Sequence, residues 1–144
     1  MAVLDKTTTA TPGGSTGGWT SGIITRFNRV TFTPTAADVL QIFDVQKGEK
    51  ILGIAMKVIT GSDAASTIAI GLTDGTTDGY LAATSIAAAA EGTTTVGTTG
   101  AYITGATWQA AFTAADTIDA LLATSGTNTC VVEFEMVSFR TTLA

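Results

Sequence analysis

An all-β fold is predicted by three observations. Apolar and polar side chains alternate with a two-residue period in several segments, Gly/Asp/Thr clusters separate those segments, and no convincing amphipathic helical pattern occurs. Successive side chains of a strand point to opposite faces, so such alternation marks one core face and one outer face. About eight short strands of this kind make a sandwich or a barrel, with an antiparallel sandwich as the expected architecture.

The strands follow in chain order. Val30 and Phe32 lie two apart before Pro34, which cannot donate to a ladder and ends the first strand. Val39 to Val45 is the second, with Leu40 and Ile42 on one face, and Gln46 to Glu49 reads as a turn. In Ile51 to Thr60, Leu52, Ile54, Met56 and Val58 are assigned to the core face, and Gly53, Ala55 and Lys57 to the other. The Gly61-Ser62-Asp63-Ala64 link is turn chemistry. Thr67 to Leu72 then repeats the alternation, with Ile68, Ile70 and Leu72 inward, so the two strands are expected to form an antiparallel hairpin.

Thr73 to Gly79 reads as a loop, and Ala82 to Ala90 as an irregular or weakly β segment despite its run of alanines. Thr107 to Ala115 is mixed. Asp116 to Ala123 has strand character, with Ile118, Ala120 and Leu122 on one side. The last strand is the strongest: Cys130, Val132, Phe134 and Met136 alternate with Val131, Glu133, Glu135 and Val137.

A chain of 144 residues suits one domain and buries roughly 70% of its unfolded surface, enough for a core without metals or disulfides. Residues 23–144 are assigned to the sandwich and residues 1–22 to an N-terminal arm, either flexible or docked on a partner. The Thr/Gly/Ser stretch of that arm cannot bury enough apolar surface to fold alone, and Trp19 would anchor it to a neighbouring subunit.

Several function classes lose support on composition alone. With no histidine and a single cysteine, the usual acid–base and nucleophilic groups are missing. Seven basic residues, a net charge of −5 and a pI near 4.4 argue against reading phosphates on a nucleic acid. No window approaches the about 20 apolar residues of a membrane helix. The N-terminus has no continuous apolar stretch of secretory-signal length, so synthesis in the cytoplasm is expected. No glycine-rich phosphate loop or zinc spacing occurs, so no cofactor is implied.

Glu133 and Glu135 share a strand face with α-carbons roughly 7 Å apart, which suits a solvated face or an interface salt bridge better than a glycosidase pair. Asp74-Gly75-Thr76-Thr77-Asp78-Gly79 reads as consecutive turns, because a calcium loop needs alternating ligands and a closing glutamate. Cys130 faces inward as a small hydrophobe. Trp19, Tyr80 and Trp108 stand in or beside loops, where aromatics are enriched in contact hot spots, or else they plug the ends of the sandwich. Together with Arg26 and Phe27 they are the candidate partner-contact residues. In the alternative reading, a carbohydrate- or receptor-binding sandwich, Tyr80 or Trp108 would stack a sugar and Asp74 or Asp78 would accept hydrogen bonds from its hydroxyls.

The run from Gly48-Glu49-Lys50-Ile51-Leu52-Gly53-Ile54 to Val58-Ile59-Thr60 is followed by Ser66 to Leu72 and Gly79-Tyr80-Leu81. With Ala115 to Ala120 and the closing Thr129 to Val137 strand, this pattern resembles tailed-bacteriophage capsid decoration (cement) proteins of the jelly-roll type, over about residues 26–140. The resemblance implies an eight-stranded jelly roll, self-association as a homotrimer, and a place on the outer surface of an icosahedral head. It implies the major capsid protein as partner, bridging of neighbouring capsid subunits as the role, and no catalytic residues.

Overall fold

The computed structural model describes residues 1–7, 21–104 and 111–141. Among the described residues, nine strands stand in two sheets: β1 (Val3–Asp5), β2 (Ser21–Phe32), β3 (Val39–Val45), β4 (Glu49–Thr60), β5 (Thr67–Gly71), β6 (Leu81–Ser85), β7 (Thr94–Val96), β8 (Asp116–Ala123) and β9 (Cys130–Thr141). One sheet has the order β1-β3-β8-β5-β6 and the other β2-β9-β4-β7.

The pairings β2–β9, β3–β8, β4–β7 and β5–β6 are all antiparallel and nested one inside the next. This is a long antiparallel ribbon, β2 to β5 against β6 to β9, rolled so that β4 also pairs with β9 and β5 with β8. The chain is therefore an all-β sandwich of eight strands in jelly-roll order, with β1 added at one edge.

The alternation in the sequence explains the core. Ile118, Ala120 and Leu122 of β8 and Cys130, Val132, Phe134 and Met136 of β9 are all buried, as are Ile54, Met56 and Val58 of β4. Burying each such side chain stabilises the fold by about 1.5–3 kcal/mol, so these inner faces fix which side of each strand looks inward. Burial pushes the Cys130 thiol above its ordinary pKa and keeps it neutral among its apolar neighbours.

The structure differs from the sequence expectations at particular places. Strands β4 and β5 do not form a hairpin; they belong to different sheets, and residues 61–66 carry the chain across. Both arrangements bury the same alternate residues, so periodicity cannot separate them. The crossing is held by a hydroxyl pair, Ser62 Oγ to Ser66 Oγ at 2.9 Å, and by Ser66 Oγ donating to Thr124 O. Gly61 permits it, because a Cβ there would run into the Ala87 backbone.

Leu52 is exposed rather than buried, since the β4–β9 register shifts between Ile51 and Gly53. That bulge turns Ile51 inward and Leu52 outward. Leu72 is half-buried beyond the end of β5. The segment 82–90 resolves into the end of β6 and a 3-10 turn at Ala88–Ala90. Of the mixed segment, residues 105–110 lie outside the described residues.

The first residues of the expected arm are part of the sheet. Val3–Asp5 pairs parallel with β3, and Leu4 packs against the core. Val39 N donates to Ala2 O, Lys6 N donates to Gln41 O, and the Asn28 amide donates to Lys6 O and Ile42 O at 2.7 Å each. Removing residues 1–7 is expected to lower stability by roughly 2 kcal/mol through lost Leu4 burial and edge hydrogen bonds, measurable as a lower urea midpoint. An unchanged midpoint would show that β1 adds nothing to the domain.

Candidate partner-docking face

Strand β2 reverses the usual distribution. Its inward positions include Arg26 and Asn28 beside Ile24, Val30 and Phe32, whereas Ile23 and Phe27 point outward at 68% and 66% exposure. The register of the four-stranded sheet places further apolar side chains on that outer face. Ile23 stands beside Phe139 of β9, and Phe27 lies in a cross-strand row with Glu135, Ala55 and Val96. Leu52 joins them through its bulge. Val96, Leu52 and Phe139 are 59%, 48% and 39% exposed.

Among the described residues, five of the eight exposed large apolar ones thus share one sheet face. Scattered exposed apolar residues need no explanation, but a contiguous set marks a contact surface. The centre of the face is open: a Cβ built on Gly53 meets nothing within 4 Å. A shallow hollow of about 140 Å³ lies next to it, lined by Phe27, Ala55, Lys57, Thr94, Glu133 and Glu135 among others.

Charges rim this face. The Arg29 guanidinium pairs with Glu133, its cross-strand neighbour, through Nε at 3.0 Å and through Nη2. Both side chains are well exposed, so Arg29→Ala is expected to change stability by no more than about 1 kcal/mol in thermal unfolding. A larger loss would mean that the pair organises the sheet. Lys57 stands one step further along the same row, opposite Glu133 on the β4 side. The glutamates at 133 and 135 therefore belong to a mixed-charge outer face.

The residues selected from sequence fall in different places. Phe27 is on the exposed apolar face. Arg26 points into the sandwich, where its Nη2 donates to Glu49 Oε1 at 2.8 Å and its Nη1 to Asp44 O. Glu49 is fully buried and also accepts from Ser138 Oγ at 2.6 Å and from Gln46 N at 2.9 Å. Arg26 thus ties the two sheets together from inside the sandwich.

Tyr80 is buried as well, 1% exposed, with its ring centroid 5.2 Å from that of Tyr102. The Gly79 backbone leaves room for the Tyr102 ring, which a Cβ would strike. Tyr80 therefore plugs the sandwich, and it offers no stacking platform for a sugar. Trp19 and Trp108 lie outside the described residues. Segment 73–79 is a chain of turns, with Leu72 N donating to Thr76 O, Gly75 N to Leu72 O and Gly79 N to Thr76 O.

Ile23, Leu52, Val96 and Phe139, which share this exposed face, were not selected from sequence. Parity would have found two of them. The phase set by Val30 and Phe32 puts every odd residue of β2 outside, and the phase set by Val132 and Phe134 does the same for Phe139.

A jelly-roll sandwich with one apolar, charge-rimmed outer face is the class of protein these features define. No family model and no curated protein matches the chain. Solved structures do match its fold. A chain of the cyanophage Pam1 capsid asymmetric unit superposes with a TM-score of 0.67 at 16% identity, covering 92% of this chain and 94% of that one. A chain from the capsid of Ralstonia phage GP4 gives a TM-score of 0.69 at 11% identity, covering 99% of this chain and 100% of that one. A chain from the acidic stable capsid of Helicobacter pylori bacteriophage KHP30 gives 0.57 at 12% identity, covering 85% and 94%. At these identities the likeness is one of fold.

Proposed function

We propose that this chain is a structural protein of a phage virion, a decoration protein that stabilises an icosahedral head by bridging neighbouring capsid subunits from its outer surface. The observation that carries this reading is the end-to-end correspondence with the three capsid chains, each covered over 94–100% of its length by this single sandwich. The exposed apolar face supports it, because a surface of that kind is stable in an assembly that covers it. The partner is the major capsid protein, and the chain associates as a homotrimer. Repetition over a symmetric lattice lets each contact be weak, since a tethered trimer raises the effective concentration of its remaining sites. The Thr/Gly/Ser segment between β1 and β2, with Trp19, is the part of the arm proposed to touch a neighbour.

The test is the number of copies of this chain per purified particle, measured against the main shell protein by quantitative mass spectrometry. A copy number comparable to that of the shell subunits supports lattice-wide decoration. A handful of copies points to a tail or receptor-binding part, and absence from particles removes the proposal.

A further inference from the structure

The outer face of the five-stranded sheet holds a hollow of about 370 Å³, lined by Val39, Leu72, Leu121, Thr73, Thr77 and Asp119 among others. Its floor follows from the register. Leu40 and Ala120 point into the core, so Val39, Gln41, Asp119 and Leu121 beside them point outward, with Val39 opposite Leu121 and Gln41 opposite Asp119. On the β5 side Asp119 pairs with Gly71. With no side chain at Gly71, the turns of segment 73–79 fold back onto the sheet, and Leu72, Thr73 and Thr77 become a wall of the hollow.

Asp119 is 6% exposed, and the groups that donate to it are all neutral: Thr73 N at 3.1 Å, the Thr73 hydroxyl, and the Thr117 hydroxyl at 2.8 Å. Among the described residues the ion pairs are Arg26–Glu49 and Arg29–Glu133, so neither Lys6 after β1 nor the Met1 α-amino group reaches it. The strands of this sheet carry Asp5, Asp44, Asp116 and Asp119 and no basic residue. A carboxylate withdrawn from water ordinarily sits beside a cation. This one sits beside open space instead, and three donors leave one of its roughly four acceptor positions free.

We infer that the hollow receives a lysine side chain of a partner protein, its ammonium on Asp119 and its methylene stem along Val39, Leu72 and Leu121. Lysine has the required halves, an apolar stem and a compact charged head. An arginine fork seeks both oxygens of a carboxylate, and here Oδ2 already accepts two bonds and Oδ1 one. A calcium ion takes six to eight oxygens, whereas no group of three metal-binding side chains occurs among the described residues. An uncharged apolar side chain would bury Asp119 further without neutralising it. Two copies of a chain of net charge −5 repel each other, which favours a foreign surface as the source of the lysine. If the decoration reading above is right, on which this choice of source rests, the lysine belongs to the shell subunit.

Two variants test the site without touching the core. Leu121→Trp fills the hollow from an outward, half-buried position of β8 and leaves the Asp119 bonds in place. Asp119→Asn removes the charge at nearly constant shape. Nitrogen-15 amide spectra of the 14.6 kDa chain would be titrated at fixed ionic strength with three probes. These are Nα-acetyl-lysine amide, Nα-acetyl-norleucine amide, which has the same stem without the charge, and magnesium chloride. Heads stripped of this chain would then be titrated with wild type and both variants, and bound copies counted after sedimentation. Circular dichroism melts would confirm that all three fold.

The lysine probe is expected to give saturable shifts at the Thr73, Asp119 and Leu121 amides. The norleucine probe should bind at least about tenfold more weakly, and each substitution should weaken the lysine probe by a similar factor. No shifts with the lysine probe, equal binding of the two amides, saturable shifts from magnesium at the same amides, or variants that bind the lysine probe like wild type would each overturn the inference. Weakened head binding by both variants supports the shell as the source of the lysine, and undiminished binding by both overturns that source. Self-association of the isolated chain that Leu121→Trp abolishes would replace the shell by a second copy. Failure of the wild type to bind stripped heads removes the decoration role and the shell with it, while the probe titration still decides the site.

Discussion

Replacing Arg26 by Met is expected to lower the unfolding free energy by about 3–5 kcal/mol and the melting temperature by roughly 10 °C or more. The reason lies in what it leaves behind. Glu49 has no exposed surface, and Arg26 is the cation paired with it on the inner side of the same sheet, over β9. Without the guanidinium, the Glu49 carboxylate keeps the Ser138 hydroxyl and the Gln46 amide but loses its counter-charge in a site screened from water. A buried ion pair adds little net stability over a well-packed apolar pair, yet half of one is costly. Arg26→Met combined with Glu49→Leu should therefore recover most of the loss, whereas Glu49→Leu alone strands the cation. Urea unfolding of the two single variants and the double variant measures this directly. Singles as stable as wild type, or a double variant worse than both, would contradict it. The same experiment separates the two roles considered for Arg26: a partner-contact residue would lose binding and keep its melting temperature.

What could be read from sequence depended on how local its cause was. The inner faces of β8 and β9 were legible because each follows from one strand's own alternation, Ile118-Ala120-Leu122 and Cys130-Val132-Phe134-Met136. The partners of those strands were not. That β4 pairs with β9 and β7 rather than β5 depends on contacts far apart in sequence, and the crossing at residues 61–66 hides behind ordinary turn residues. Leu52 was misplaced because a bulge is a property of two strands, not of one. Strand order likewise needed both sheets.

The exposed apolar face was half-legible. Phe27 was selected, and its neighbour Ile23 has the same parity. Val96 reaches the face only because β7 pairs beside Ala55. Arg26 and Tyr80 were offered as contact residues for a common reason. A charged side chain on a strand, or an aromatic next to a loop, is usually assigned to the surface. Here each is held inside by a partner distant in the chain, Glu49 for one and Tyr102 for the other.

Two glycines on outer strand faces should give opposite results when a methyl group is added. Gly71→Ala is expected to cost about 3 kcal/mol, and Gly53→Ala to be neutral or stabilising by about 0.5–1 kcal/mol. Both sit in strands, at the end of β5 and the middle of β4. At Gly71 the loop after β5 folds back onto the sheet, and a Cβ would overlap the carbonyls of Thr76 and Thr77. Backbone cannot rotate away as the tip of a side chain can, so the loop must lift. Lifting it strains the bonds from Thr73 N and Oγ1 to the Asp119 carboxylate, which is mostly buried on the outer side of β8. At Gly53 the added methyl meets only solvent, and the gain comes from the smaller conformational freedom of the unfolded chain. Differential scanning calorimetry of the pair would read the contrast. Equal effects would mean either that the 73–79 loop does not rest on β5 or that the face around Gly53 is covered. Since Gly53→Ala adds a methyl at the centre of the exposed apolar face, its stability measured free and then on heads also reports whether that face is occupied in the particle.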